Sequence, residues 1–206
     1  MADPPPWPAA LERGQAGAAL GGESRSGDLA VFVPYDGGAL VAVVDGLGHG
    51  EAAADAAETA ADALTRHATA PAQRLLEHCH EALRKTRGAV ATFVWFNVER
   101  GRLVWTGVGN VEGRLLRAQG TEGSRTDSPV LFGGVLGWGL PTVRLTEVEL
   151  APGDTVVLAT DGVKADFGSS MAAGVNAQEQ AERIFASHAR GNDDALVVAV
   201  RWVPGG

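Results

Sequence analysis

The sequence predicts an α+β fold, a four-layer α-β-β-α sandwich of two mainly antiparallel sheets flanked by helices. Three observations carry this reading. Short Val- and Leu-rich runs bounded by Gly, Asp, Pro and Asn recur along the chain, the pattern of strands separated by turns. Two consecutive helical stretches stand between the first strands and the rest. Neighbouring strands are joined by tight turns, which suits antiparallel pairing rather than repeated right-handed crossover units.

The first ten residues hold four of the ten prolines and read as a flexible or polyproline-like tail. Residues 1–16 are therefore expected to precede a single domain spanning 17–206. Residues 29–33 and 39–44 flank Pro34-Tyr35-Asp36-Gly37-Gly38 and form a hairpin whose second strand runs straight into Asp45-Gly46. Residues 51–70 are alanine-rich and free of Gly and Pro, which favours a helix. A second helix is expected over 71–87, with Pro71 in the first turn, Leu75, Leu76, Cys79 and Leu83 at helical spacing, and Gly88 as the stop. Strands follow at 89–99, 102–108 and 111–118, with tight turns at Arg100-Gly101 and Gly109-Asn110. The stretch 119–129 reads as a polar loop, and glycines at 133, 134, 137 and 139 mark a close-packed or flexible connection. Residues 143–150 and 155–160 read as another hairpin around Ala151-Pro152-Gly153-Asp154. An amphipathic helix over 176–190 and a strand over 195–203 close the chain.

Composition narrows the function classes. Across 206 residues, 17 Lys and Arg stand against 25 Asp and Glu, a formal net charge of −8 without a basic tract. Sequence-independent binding to nucleic acid or to anionic membranes needs clustered cations, so neither partner is expected. The single cysteine, Cys79, forms neither an internal disulfide nor a cysteine metal cage. The N-terminal residues lack a basic segment followed by an apolar one, and no apolar run reaches the roughly 18 residues of a membrane span. A cytoplasmic, monomeric protein is expected.

The chemistry is suggested by the aspartates. Asp45 ends an apolar strand before Gly46, Asp161 ends another before Gly162, Asp28 begins a strand after Gly27, and Asp193-Asp194 opens the last strand. Taken singly, each Asp-Gly pair is a turn former. Taken together, acidic residues at four strand tips can meet at one sheet edge, where cations must neutralise them. Oxygen-only donors suit Mg²⁺ or Mn²⁺ rather than Zn²⁺, and a glycine beside a ligand lets its own carbonyl approach.

Ser26-Gly27-Asp28, Val44-Asp45-Gly46-Leu47-Gly48-His49-Gly50, Leu150-Ala151-Pro152-Gly153-Asp154, Leu158-Ala159-Thr160-Asp161-Gly162-Val163 and Asn192-Asp193-Asp194-Ala195 run in a fixed order. In that order they resemble the motifs of PPM-type (protein phosphatase 2C-like, SpoIIE-like) serine/threonine phosphatases. Cys79-His80-Glu81-Ala82-Leu83-Arg84-Lys85-Thr86-Arg87-Gly88-Ala89-Val90-Ala91 and Val108-Gly109-Asn110-Val111 are similar to segments of the small feedback phosphatases of the bacterial stressosome.

The resemblance implies two Mn²⁺ or Mg²⁺ ions. Asp45 would bridge them and the Gly46 carbonyl would join the second. Asp161 and Asp193 would complete the first, and Asp28 would hold the second partly through water. It implies hydrolysis of phospho-Ser or phospho-Thr by a metal-activated water, which makes Asp45, Asp161 and Asp193 catalytic through that water. The implied partners are phosphorylated STAS-domain stressosome proteins of the RsbR/RsbS type. The alternatives are a phosphatase of an anti-anti-sigma factor of the RsbU/SpoIIE type, or a non-catalytic phosphatase-fold binding module.

Departures from the family pattern are visible. Ala195 stands where Thr or Ser often follows the paired acids, and no ligand for a third metal is assignable. Arg25 lies near the place of the phosphate-binding arginine of eukaryotic members, but reads more readily as a solvated loop cation. Weak substrate affinity follows if no side chain clamps the phosphate.

Other patterns lead elsewhere. Gly46-Leu47-Gly48-His49-Gly50 imitates a dinucleotide fingerprint, but Glu51 occupies the third glycine's place. A Cys-x5-Arg phosphatase loop starting at Cys79 needs arginine at 85, which is Lys85, and Cys79 reads as a buried structural thiol. His78 and His80 point to different helix faces and do not share a metal. His49 follows Asp45 closely and is either a site residue or a loop histidine. Trp95, Trp105, Trp138 and Trp202 read as core or sheet-face residues.

Overall fold

The computed structural model describes residues 5–118 and 127–205. The strands are β1 (Leu11–Ala18), β2 (Asp28–Tyr35), β3 (Gly38–Gly46), β4 (Ala89–Asn97), β5 (Arg102–Val108), β6 (Glu112–Leu116), β7 (Leu131–Phe132), β8 (Thr146–Glu149), β9 (Thr155–Ala159) and β10 (Ala195–Trp202). Helices α1 (Glu51–His67) and α2 (Ala72–Leu83) lie between β3 and β4, and α3 (Ala177–His188) lies between β9 and β10. One sheet has the order β1-β10-β9-β6; the other has β2-β3-β4-β5-β7, with β8 also paired to β5. Every pairing is antiparallel except the short β5–β7 contact.

Three buried clusters separate four layers, in agreement with the expected sandwich. Side chains alternate across a strand, so β3 sends Leu40, Ala42 and Val44 toward Ala60, Leu64, Leu75 and Leu83 of α1 and α2. Its Ala39, Val41 and Val43 enter the cluster between the sheets, with Trp105, Leu158 and Val198. Strand β10 is used in the same way, its Val197 and Ala199 packing on Ala181 and Ile184 of α3. Burial on both faces explains why these central strands read as unbroken apolar runs rather than alternating ones. Helix α3 starts where expected, because the Asn176 side chain accepts the Glu179 N–H at 2.8 Å.

Four expectations need correction. Residues 11–16 are not tail: they belong to β1, whose eight residues all pair with β10. Their low hydrophobicity hides a strand whose place comes from the ladder, and Gly14 lets it lie against α3, since a Cβ there would fall 2.3 Å from the Gln178 Cα. Strands β5 and β6 are not a hairpin: the Gly109-Asn110 turn carries the chain from one sheet to the other, where β6 pairs with β9. Strands β8 and β9 likewise belong to different sheets, β8 pairing with β5 and β9 with β10. Trp138 is 68 % exposed on a loop, whereas Trp105 and Trp202 are core. The loop expected at 119–129 lies mostly outside the described residues, as do residues 1–4 of the expected tail.

Candidate metal centre

Asp28 opens β2 and Asp45 stands one residue before the end of β3, and the two are direct partners in the β2–β3 ladder. Asp161 follows β9 by two residues, and Asp193 precedes β10 by two. The ends of both sheets therefore deliver carboxylates to one place. Asp28, Asp45, Asp161 and Asp193, together with Asp194 and Asn110, line a single cavity of about 470 Å³. Leu47, Val90 and Val135 supply its apolar walls. Of the five predicted site residues, Gly46 alone is not in that lining. It is buried beneath, where its N–H donates to the Gly27 carbonyl at 2.9 Å and a Cβ would collide with the Ala53 carbonyl oxygen.

Each carboxylate is held differently. Asp28, 8 % exposed, accepts the Thr160 hydroxyl at 2.6 Å, and the same hydroxyl oxygen accepts the Leu196 N–H at 2.9 Å. Thr160 thus ties the acidic tip of one sheet to strand β10 of the other. Asp161 is exposed, and its Oδ2 accepts the Asn110 Nδ2–H at 2.9 Å. The Asp193 carboxylate accepts only the neighbouring Asp194 N–H among the described contacts. Asp194 is buried, and both its oxygens are engaged: Oδ1 accepts the Leu20 N–H and Oδ2 the Gly27 N–H, each at 2.7 Å. It anchors the 20–27 loop that leads into Asp28.

The electrostatics call for positive charge. Burial, reinforced by Asp194, Asp161 and Asp193 and opposed by the Thr160 hydrogen bond, pushes Asp28 up to about 7. Burial and then the charges of Asp28, Asp161, Asp193 and Asp194 push Asp45 up to about 8. Carboxylates that resist ionisation together are stabilised by divalent cations, and an all-oxygen donor set fits hard ions of the Mg²⁺ and Mn²⁺ kind. Among the described residues no three His, Cys, Asp or Glu side chains close on a single point. The aspartates instead line a cavity wide enough for ions that retain part of their water shell.

The remaining candidates are sorted by the same geometry. Arg25 does not reach the cavity: its guanidinium is held by Glu51, Asp55 and Glu58 of α1 at 2.7, 2.8 and 2.7 Å. His49 does line it, with its ring Nδ1 3.1 Å from a Glu23 carboxylate oxygen. Cys79 is fully buried on α2, and burial pushes its thiol up to about 12, which excludes a thiolate nucleophile. His78 stacks on His67 at 3.9 Å, while His80 Nδ1 accepts the Gly137 N–H at 3.0 Å, so the two do not share a ligand. Sequence reasoning missed the roles of Thr160, Asn110 and Asp194. Thr160 and Asp194 adjoin predicted ligands, but their partners at residues 28, 20 and 27 leave no local signal.

Comparison with known proteins agrees with this fold. The family model described as "Stage II sporulation protein E (SpoIIE)" matches residues 35–203. The phosphoserine phosphatase RsbX of Bacillus subtilis (strain 168) is 26 % identical over 159 residues, covering 77 % of this chain and 78 % of RsbX. A chain from a structure described as "The bacterial stressosome: a modular system that has been adapted to control secondary messenger signaling" superposes with a TM-score of 0.82. It is 28 % identical, with 93 % of this chain and 99 % of that one covered. RsbX in complex with magnesium has the same fold, with a TM-score of 0.82, 21 % identity, and coverage of 94 % and 96 %. Among the described residues no helix is long and apolar enough to cross a membrane.

Proposed function

The chain belongs to the SpoIIE family, and from that premise we propose that it is a metal-dependent protein-serine/threonine phosphatase acting on STAS-domain stressosome proteins of the RsbR/RsbS type. The observation that carries the reading is the convergence of Asp28, Asp45, Asp161 and Asp193 on one cavity. The client is supported by the likeness to RsbX and by the stressosome work from which the 28 % identical structure comes. In this reading the protein is cytoplasmic and monomeric and resets a stress response by feedback.

The four aspartates, with the Gly46 carbonyl, would hold two Mn²⁺ or Mg²⁺ ions. When bound, such ions acidify a water and stabilise charge on phosphoryl oxygens. The chain's own residues prepare the site. Asn110 fixes the direction of the Asp161 carboxylate, and Thr160 fixes that of Asp28. Asp194 holds the 20–27 loop so that Asp28 meets Asp45 in register. Leu47, Val90 and Val135 limit bulk water around the phosphoester. Water attacks phosphorus and the seryl or threonyl oxygen leaves, giving inorganic phosphate and the free hydroxyl without a phosphoenzyme.

The test offers phosphorylated STAS proteins of the stressosome and of the anti-anti-sigma type side by side, with Mn²⁺ or Mg²⁺, and measures phosphate release. Release should be fastest from the stressosome proteins and should vanish with EDTA and in Asp45→Asn. Activity surviving both treatments rejects the metal mechanism, and preference for the other client rejects the stressosome assignment.

A further inference from the structure

On the premise of phosphoester hydrolysis at this cavity, we propose that Arg87 is the side chain that grips the substrate's phosphate. Two divalent cations only balance the four aspartates, so an incoming phosphate dianion still needs a cation. Arginine suits that task, because its planar fork donates two N–H groups to two phosphoryl oxygens. Arg25, the candidate by sequence position, is already committed to three carboxylates of α1.

Arg87 is differently placed. It is exposed in the link between α2 and β4, and among the described residues it has no ion-pair or hydrogen-bond partner. Its Nη1 lies over Gly48, 2.8 Å from where a Cβ would stand, and Gly48 lines the cavity between Leu47 and His49. Gly48 has φ +92°, so this rim position favours glycine by conformation as well as by the guanidinium above it.

The backbone that carries Arg87 is fixed. The Gly88 carbonyl accepts the Leu47 N–H at 3.0 Å, and the Gly88 N–H donates to the Thr86 hydroxyl at 3.0 Å. A Cβ on Gly88 would meet Val135 and the Leu136 carbonyl, so this residue is packed tightly against Val135, which lines the cavity. The guanidinium is thus a cation on a rigid base, beside the Gly48 wall of an acidic cavity that it does not itself line. Arg190 is a rival, but it lines an adjoining cavity of about 140 Å³, which shares only Asn110 and Asp161 with the main one.

The experiment compares wild type, Arg87→Ala, Arg87→Lys, Arg25→Ala and Arg190→Ala, all loaded with Mn²⁺. It measures kcat and KM for p-nitrophenyl phosphate and, separately, binding of inorganic phosphate by calorimetry. Arg87→Ala should raise KM and weaken phosphate binding by about tenfold to a hundredfold, the loss expected for charge-assisted hydrogen bonds. Arg87→Lys should recover part of that loss, and the Mn²⁺-induced rise in melting temperature should be the same as in wild type. Arg25→Ala and Arg190→Ala should leave KM and phosphate affinity unchanged. Wild-type phosphate affinity in Arg87→Ala, or the full loss in Arg190→Ala instead, overturns the assignment. If wild type binds phosphate through Arg87 but hydrolyses no phosphoester, the phosphatase reading fails while the Arg87 site stands. If wild type binds no phosphate, the Arg87 site fails.

Discussion

Asp28 and Asp45 face each other as direct partners in the β2–β3 ladder, two carboxylates at a position where like charges oppose pairing. A sheet tolerates such a pair when a proton or a cation stands between them. The strand ends are therefore stable in a way that depends on what the cavity contains, and four measurements follow from it.

The metal-free protein should lose stability as pH rises. Asp28 and Asp45 are pushed up to about 7 and about 8 in the folded chain, mainly by burial, whereas unfolded aspartates titrate near about 3.9. The folded state therefore binds these protons more tightly. The stability they contribute is complete below the unfolded value and lost as pH climbs through the folded ones. Thermal melts in EDTA should show a falling melting temperature between about pH 5 and 8, and Asp45→Asn should flatten the fall. A flat wild-type profile contradicts the buried pair.

Divalent metal should reverse that loss. Binding to the folded state at about a hundred times Kd adds about 2.7 kcal/mol, or about 5–10 °C in melting temperature for a chain of this length. The shift should grow with pH, because ionised carboxylates bind the cation better. It should shrink in Asp45→Asn and in Asp161→Asn. Scanning fluorimetry showing no shift at saturating Mn²⁺ or Mg²⁺ would falsify the metal centre.

Asn110 should matter more to metal affinity than to folding. Its amide holds the exposed Asp161 carboxylate at 2.9 Å, and outer partners of this kind typically change affinity or activity by about 10–100-fold. Asn110→Ala should weaken Mn²⁺ binding within that range while the metal-free melting temperature stays near wild type. Equal Mn²⁺ affinity in variant and wild type removes Asn110 from the site.

Asp194 should behave in the opposite way. Its buried carboxylate satisfies the Leu20 and Gly27 N–H groups, so Asp194→Ala should cost about 1–3 kcal/mol of stability. Freed of its anchor, the 20–27 loop should be cut by trypsin after Arg25 faster than in wild type. Unchanged cleavage there contradicts the anchoring role.

The helices, the β2–β3 hairpin and the placing of the aspartates at strand ends were legible in the sequence, because each has a local physical signature. Ala-rich composition and the Asn176 cap act within a few residues, and Asp45 and Asp161 end apolar strands at glycines in plain view. That Gly109-Asn110 and Ala151-Pro152-Gly153-Asp154 carry the chain between sheets emerges from the three-dimensional packing, since a turn of the same residues serves a hairpin equally well. It alone recruited residues 11–18 as an edge strand, committed Arg25 to α1 and left Arg87 beside Gly48. It alone bound Thr160 to Asp28 and Asp194 to Gly27, 132 and 167 residues apart. Local preference acts over one turn or one strand, whereas these contacts exist only after two sheets close on each other and bring distant strand ends to a single edge.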